Sequence, residues 1–245
     1  MSPSRPDINS SSPPATHLPH TADPQPLLAQ EFLDFARGPG FPCDIARGTV
    51  AQGRLTAEVY DDLRCPASAA RLLDDLYAFL DAAPERGMAF RSFAAIFRAP
   101  GDTDEEGFER LLWGELQRLH DLDHARGHAW DPSVASDPAS DQFSFSLRGQ
   151  AFYVIGMHPG ASRLARRFSH PVLVFNAHQQ FETLRQRGAY ATVRDRIRAN
   201  DVALQGSVNP MLRDHGTSSE AMQYSGRQVG ADWTCPFAAA LGGAR

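Results

Sequence analysis

A histidine and three arginines lie close together in the segment "MHPGASRLARRF", residues 157–168. His158 ends an apolar run, and the Pro-Gly pair behind it predicts a tight turn into a helix. Arg163, Arg166 and Arg167 follow at spacings of three and four residues, which predicts that at least two of them share one helix face. An imidazole can ligate heme iron, and guanidinium groups bind carboxylates such as the heme propionates. A plainer interpretation also fits the spacing, with His158 hydrogen-bonded to its own loop and the arginines in solvent.

Two further segments carry polar side chains suited to a pocket. In "FNAHQQFE", His178 is a second candidate for the axial ligand, or a distal group that handles protons, with Asn176 close by. In "SSEAMQYSGR", a carboxylate can bind a cationic substrate group, and the candidate side chains are Glu220, Gln223, Tyr224 and Arg227. The alternative for this second segment is an exposed helix with an ordinary ion pair.

Cysteine and histidine elsewhere offer weaker candidates. Cys43 and Cys235 each adjoin a proline, which is compatible with a heme thiolate, although simple burial explains a lone cysteine equally well. His120, His124 and His128 recur at four-residue spacing. We do not expect a metal there, because one helix cannot wrap three stacked side chains around a single ion.

Composition excludes several classes of chemistry. All 24 basic residues are arginine, so a lysine Schiff base and a P-loop lysine are both absent. The chain also has no GxGxxG, GxSxG, HExxH or CxxC motif. Ten arginines lie between residues 158 and 227 in a chain of net charge −5. This asymmetry favours a local anionic ligand over nucleic acid.

The patterns predict one α+β domain over residues 26–245, in which helices flank a mixed sheet and long ordered loops follow at the C-terminus. Helical periodicity predicts helices from residue 26, over 66–87, over 103–127, at about 179–187 and at 190–203. Strands are predicted at 92–100 and 170–178, a strand or hairpin within 47–63, and a β-hairpin around Arg148-Gly149.

The N-terminal composition and the cysteine content indicate the compartment. Residues 1–25 are rich in Ser and Pro, which predicts a disordered tail. No apolar run is long enough for a membrane span, and the first residues do not resemble a secretory signal. Together with three widely spaced cysteines, these features predict a cytoplasmic protein with no membrane partner.

Several motifs occur in the same order in a known family. They are "FPC" at 41–43, "FSFSLRGQAFYVIGMHPGASRLARRF", "VLVFNAHQQFETLR", "GSVNPMLRDHG", "SEAMQYSGR" and "WTCPF". The chain resembles the YqcI/YcgG-like proteins, which include heme-dependent N-oxygenases of natural-product pathways. The resemblance runs from residue 41 to the C-terminus and is loose in the middle helical region.

The resemblance implies a heme b enzyme that uses dioxygen and an external electron donor to oxidise a nitrogen of a small cationic substrate. Such substrates are guanidines or amino-heterocycles, and the product is an N-hydroxy compound or, after repeated oxidation, a nitro group such as that of 2-nitroimidazole. His158 is then the expected iron ligand, with Arg163, Arg166 and Arg167 as propionate partners. His178, Glu220 and Tyr224 are the expected catalytic residues, and Asn176, Glu220, Gln223 and Arg227 the expected substrate-binding residues. The oligomeric state stays open, with a homodimer as one option.

Two alternatives remain at the level of the sequence. One is a heme-binding or heme-sensing protein without turnover. The other is a non-heme iron oxygenase that uses His158, His178 and a carboxylate such as Glu182, in the arrangement of two histidines and one carboxylate.

Overall fold

The computed structural model describes residues 24–82, 90–211 and 217–240. The described helices are α1 (Pro24–Arg37), α2 (Asp44–Ala51), α3 (Pro66–Asp81), α4 (Glu105–Ala125), α5 (His178–Gln186), α6 (Tyr190–Gln205) and α7 (Ala221–Tyr224). The strands are β1 (Leu55–Asp62), β2 (Ser92–Ala99), β3 (Phe145–Leu147), β4 (Gln150–Met157) and β5 (Val172–Ala177). None of the described helices is long and apolar enough to cross a membrane.

The five strands form one mixed sheet in the order β1-β2-β5-β4-β3. The first two strands run parallel because α3 crosses over between them, and every other pair is antiparallel. The short β3 pairs with β4 only as far as Phe152, so within the described part of the chain the rest of β4 has no strand partner on that side. The helix α7 lies against β4 beyond this point, where a carbonyl of α7 approaches Gly156.

Helices cover both faces of the sheet, so each face has its own apolar core. One core packs α3 and α4 against the sheet and includes Leu72, Phe108 and Leu112. The other packs α1 against the opposite face and includes Phe32 and Met157. Successive side chains of a strand point to opposite faces, so β4 contributes to both.

The structure confirms the α+β fold, the flanking helices, the β3–β4 hairpin and the predicted strands β2 and β5. The predicted strand or hairpin within 47–63 is wrong in its first part, where residues up to Ala51 belong to α2 and only β1 is extended. The helix expected after Gly160 is also wrong, because the arginine segment contains only one 3₁₀ turn, Leu164–Arg166. The predicted disordered tail lies outside the described residues, apart from the start of α1.

Candidate functional site

A large cavity lies between the sheet and the helices α1, α2, α5 and α6. It contains about 1680 Å³ of non-protein space, part of which is open to solvent. Its sheet side is formed by Tyr153, Ile155 and Met157 of β4, the residues that alternate away from α4. Aromatic and aliphatic side chains of the helices form most of the opposite wall, among them Phe32 and Phe181. Such apolar walls with few polar groups are typical of a site for a small molecule or cofactor.

The charges in the cavity wall are predominantly positive. Five arginines line it, against the two acidic residues Asp201 and Glu220; the arginines are Arg163, Arg166, Arg185, Arg194 and Arg198. The lining therefore suits a ligand with anionic groups, because guanidinium groups bind carboxylates through paired hydrogen bonds.

Two of these arginines are buried and bound within the protein. Arg163 forms an ion pair with Asp201, 2.5 Å from Nη2 to Oδ2. Arg166 donates to three backbone carbonyls, those of Gly156, Gln223 and Tyr224, each at 3.0 Å. Burial lowers the pKa of Arg166 because it desolvates the cation. Arg166 thus fastens α7 to the unpaired part of β4, which is a structural task different from the propionate contact predicted from the sequence.

A network of amide and hydroxyl groups forms the polar part of the cavity. The Ser92 hydroxyl donates to Oδ1 of Asn176 at 2.7 Å, and Nδ2 of Asn176 donates to the carbonyl of Tyr153 at 3.3 Å. The Tyr153 hydroxyl donates to Oε1 of Gln223 at 3.0 Å. Burial raises the pKa of Tyr153 well above its usual range, so the phenol stays protonated at physiological pH. The network fixes Asn176 and Gln223, two predicted substrate-binding residues, in one cavity.

Glu220 is a buried carboxylate of this cavity, besides Asp201, which pairs with Arg163. Its Oε2 accepts a 2.6 Å hydrogen bond from Ser144, and Nδ1 of His178 lies 3.8 Å from its Oε1. The Tyr224 hydroxyl lies 3.5 Å from Oε2 but donates at 3.0 Å to the carbonyl of Phe152. The structure therefore brings together Glu220, His178 and Tyr224, the three residues predicted as catalytic. Glu220 lines the cavity, whereas the other two lie behind it.

Among the described residues that line the cavity, Cys43 is the single cysteine and there is no histidine. It is the N-cap of α2, where the amide of Ala46 donates to its sulfur at 3.5 Å. Burial raises the pKa of the Cys43 thiol, so the free protein holds it protonated. The same amide is positioned to stabilise a thiolate if a metal displaces the proton.

His158 does not come together with these residues. It is buried on the α4 side of the sheet, with its ring stacked on Phe108 at 4.5 Å between centroids. Burial lowers the pKa of His158, because the imidazolium form would lose its hydration there. The cavity lies on the opposite face, so His158 cannot reach a ligand in it without crossing the sheet. The predicted iron ligand His158 therefore lies apart from this cavity, because strand alternation places it on the other face of the sheet.

Two more predicted residues lie outside the cavity. Arg167 is exposed and donates to the carbonyl of Ala161 at 2.8 Å. It follows a single 3₁₀ turn, so it does not share a helix face with Arg163 as predicted. Arg227 pairs with Glu109 of α4 at 2.7 Å, beyond the end of α7. Neither residue contributes a side chain to the cavity wall.

The remaining candidates belong to the α4 side. Cys235 packs against that core, and burial raises the pKa of its thiol to about 12. His120 accepts a hydrogen bond from the amide of Ala240 at 2.8 Å and so anchors the C-terminal segment. The described residues contain no cluster of three or more His, Cys, Asp or Glu side chains suited to a metal. The arrangement of His158, His178 and Glu182 expected for non-heme iron is not assembled.

Sequence reasoning missed Tyr153, Ser92 and Ser144. The alternation of β4 contains the signal for Tyr153, since it shares a face with Ile155 and Met157. The contacts of Ser144 with Glu220 and His178 join residues 76 and 34 positions apart, which no local pattern reveals.

The chemistry of the cavity lining suits a ligand with an apolar body and carboxylate groups. The walls supply apolar surface, and Arg185 and Arg194 near the cavity rim can meet carboxylates. Cys43 supplies a sulfur that can ligate iron. Glu220 contributes a buried carboxylate to the same lining.

Comparison with known proteins identifies the family. The family model described as the YqcI/YcgG family matches residues 30–238, which is most of the chain. No curated protein and no solved structure matches. The match covers the sheet, the cavity and α7 together. The chain therefore belongs to the YqcI/YcgG family.

Proposed function

We propose that the chain is a heme-dependent N-oxygenase that acts on a small cationic guanidine or amino-heterocycle. The observation that carries the proposal is the buried carboxylate of Glu220 in an apolar cavity whose other charges are almost all guanidinium groups. One ligand with carboxylates and one with a cationic nitrogen would together complement this charge pattern.

In this proposal Arg185, Arg194 and Cys43 hold the cofactor, and Cys43 replaces His158 as the preferred iron ligand. A bound heme supplies the iron at which dioxygen is activated. Glu220 binds the cationic nitrogen group, and the fixed amides of Asn176 and Gln223 orient it. The apolar walls exclude water from the oxidising centre.

The first test is the absorption spectrum of the protein titrated with hemin, in the ferric state and after reduction under carbon monoxide. We expect a Soret band, and a reduced carbon monoxide band at the position typical of thiolate ligation. Cys43→Ser is expected to shift this band, while Cys65→Ser, which alters a cysteine outside the cavity, is expected to leave it unchanged. A band of the imidazole type that moves in His178→Gln would transfer the ligand role to His178. No Soret band would refute the heme proposal.

The second test is turnover with dioxygen, an electron donor and a panel of arginine, simple guanidines and 2-aminoimidazole. Mass spectrometry should detect a product that has gained oxygen on nitrogen. Glu220→Gln removes the charge but keeps the size of the side chain, and a hydrogen bond to a charged group contributes about 1.5–3 kcal/mol. We therefore expect the substrate Kd to rise about 10- to 100-fold. Glu109→Gln, a buried carboxylate on the other face, is the matched control. A protein that binds heme and forms no product would instead be a carrier or sensor.

A further inference from the structure

A line of hydrogen-bonding groups leads from the protein surface to Glu220. Ser144 donates to Oε2 of Glu220 at 2.6 Å, and Nδ1 of His178 lies 3.0 Å from the Ser144 hydroxyl. On the other side of the ring, Nε2 of His178 lies 3.3 Å from Oε1 of Glu182. Arg185 contacts the same oxygen of Glu182. Three short contacts therefore connect two carboxylates through a hydroxyl and an imidazole.

The burial of these groups gives the line an outer and an inner end. The Glu182 side chain is 38% exposed, whereas Ser144 is fully buried and His178 and Glu220 are almost so. Of the four, Glu220 is the one that lines the cavity. Solvent therefore meets the line at Glu182, and a ligand in the cavity meets it at Glu220.

The direction of the hydrogen bonds follows from the single proton of the Ser144 hydroxyl. That proton points to the Glu220 carboxylate, the closer of the two acceptors and the one that can carry a charge. The Ser144 oxygen must then accept from His178, so Nδ1 of His178 carries a proton. His178 and Ser144 therefore both donate towards Glu220, which is the order needed to move a proton inward.

The contacts also resemble a nucleophilic serine with its histidine base, but the direction is opposite. In that mechanism the histidine accepts the serine proton, and the serine oxygen faces the substrate. Here the Ser144 proton is directed to Glu220, and Ser144 does not line the cavity. The geometry favours proton transfer over acyl transfer.

We propose that Glu182, His178, Ser144 and Glu220 form a proton relay that supplies the cavity from solvent. The proposal rests on the proposed N-oxygenase function, because insertion of one oxygen atom of dioxygen consumes a pair of electrons and a pair of protons and releases the other atom as water. The electrons come from the external donor. For each proton, Ser144 passes its proton to the Glu220 carboxylate, Nδ1 of His178 replaces the proton of Ser144, and the carboxylic acid formed at Glu220 donates its proton into the cavity and returns to the carboxylate. His178 takes up a proton from solvent at Nε2 by way of Glu182. Rotation of the Ser144 hydroxyl and exchange of the His178 tautomer then restore the starting arrangement before the second proton moves.

The first experiment does not depend on cofactor or turnover. Nitrogen-15 NMR of the histidine side chains in the full chain reports which ring nitrogen of His178 carries the proton, with His178→Gln used to assign its signals. We expect protonated Nδ1 in the wild type and loss of that preference in Ser144→Ala. Ser146→Ala is the matched control, since Ser146 is also buried on this segment but contacts the amide of Asp131. An unprotonated Nδ1 in the wild type overturns the relay.

The second experiment measures coupling in the heme-loaded protein. In Ser144→Ala we expect product per electron pair to fall on the order of 10- to 100-fold, with dioxygen released as peroxide, since general acid catalysis typically contributes at least this much. Ser146→Ala should stay coupled. Unchanged coupling in Ser144→Ala overturns the relay while leaving the N-oxygenase intact. The NMR result stands by itself if the protein proves to have no N-oxygenase activity, so the two proposals fail separately.

Discussion

Replacing Arg166 by lysine separates two roles for this residue. The sequence pattern suggests a partner for a cofactor carboxylate, whereas the structure shows a guanidinium that joins α7 to β4 through three carbonyls. If the second role is correct, Arg166→Lys destabilises the protein even when no cofactor is present. If the first is correct, the substitution affects only cofactor binding.

The expected loss can be worked out from the hydrogen bonds. A lysine ammonium keeps the charge but has no planar fork, so it can retain about one of the three bonds. Each bond from a charged donor contributes about 1.5–3 kcal/mol. Losing two of them lowers the free energy of unfolding by about 3–6 kcal/mol, a large part of the stability of a typical domain.

The assay is urea unfolding of the cofactor-free protein followed by circular dichroism. Arg167→Lys is the matched control, because this neighbouring arginine is exposed and should change stability by less than about 1 kcal/mol. If Arg166→Lys without cofactor stayed within about 1 kcal/mol of the wild type, the structural role inferred for Arg166 would be refuted.

Two further substitutions test the packing and the electrostatics of the α4 side. Gly156→Ala should lower stability by about 1–3 kcal/mol in thermal or urea unfolding, since its Cβ would lie 2.6 Å from both Leu112 and Phe108. The control is Gly48→Ala in α2, where the new Cβ would meet only Gln52, at 3.8 Å, and this substitution should stabilise the protein by about 0.5–1 kcal/mol. Equal effects of the two substitutions would contradict this packing. Burial raises the pKa of Glu115 to about 7, above its usual value, so the stability it contributes is fully present below about pH 4.5 and is lost as the pH rises through 7. Glu115→Gln should therefore remove up to about 3 kcal/mol of this decline, measured as the free energy of unfolding against pH. If the free energy of unfolding of the variant fell with pH as steeply as that of the wild type, a raised pKa of the buried Glu115 carboxyl would be refuted.

The sequence predicts the elements of this fold better than it predicts the site. Helical stripes and strand alternation locate α3, α4, β4 and β5, because each pattern depends on burial of one face within a single element. The short helix α2 is not predicted by its periodicity, since eight residues give too few turns for a clear period. Its N-cap, Cys43, consequently could not be placed at the cavity from the sequence.

Some site residues are positioned by the element that contains them, and others by how the chain turns between elements. The sequence predicts Glu220 and Gln223 together, and both line the cavity, one as the N-cap of α7 and the other within it. His158 and the arginines near it were grouped by sequence proximity, but the end of a strand and one 3₁₀ turn direct them to different sides of the sheet. Proximity in sequence therefore did not predict proximity in space at the point where the chain turns.

The short β3 strand accounts for the position of Glu220, one of the two buried carboxylates of the cavity. Because β3 ends its pairing at Phe152, the adjoining part of β4 leaves backbone groups that α7 and Arg166 must satisfy. Glu220 is the N-cap of the docked α7, and Ser144, the residue directly before β3, donates to it. A longer β3 would complete the sheet edge and exclude α7 from this place. The same truncation that makes Arg166 structurally necessary thus creates the polar end of the cavity and its connection to His178.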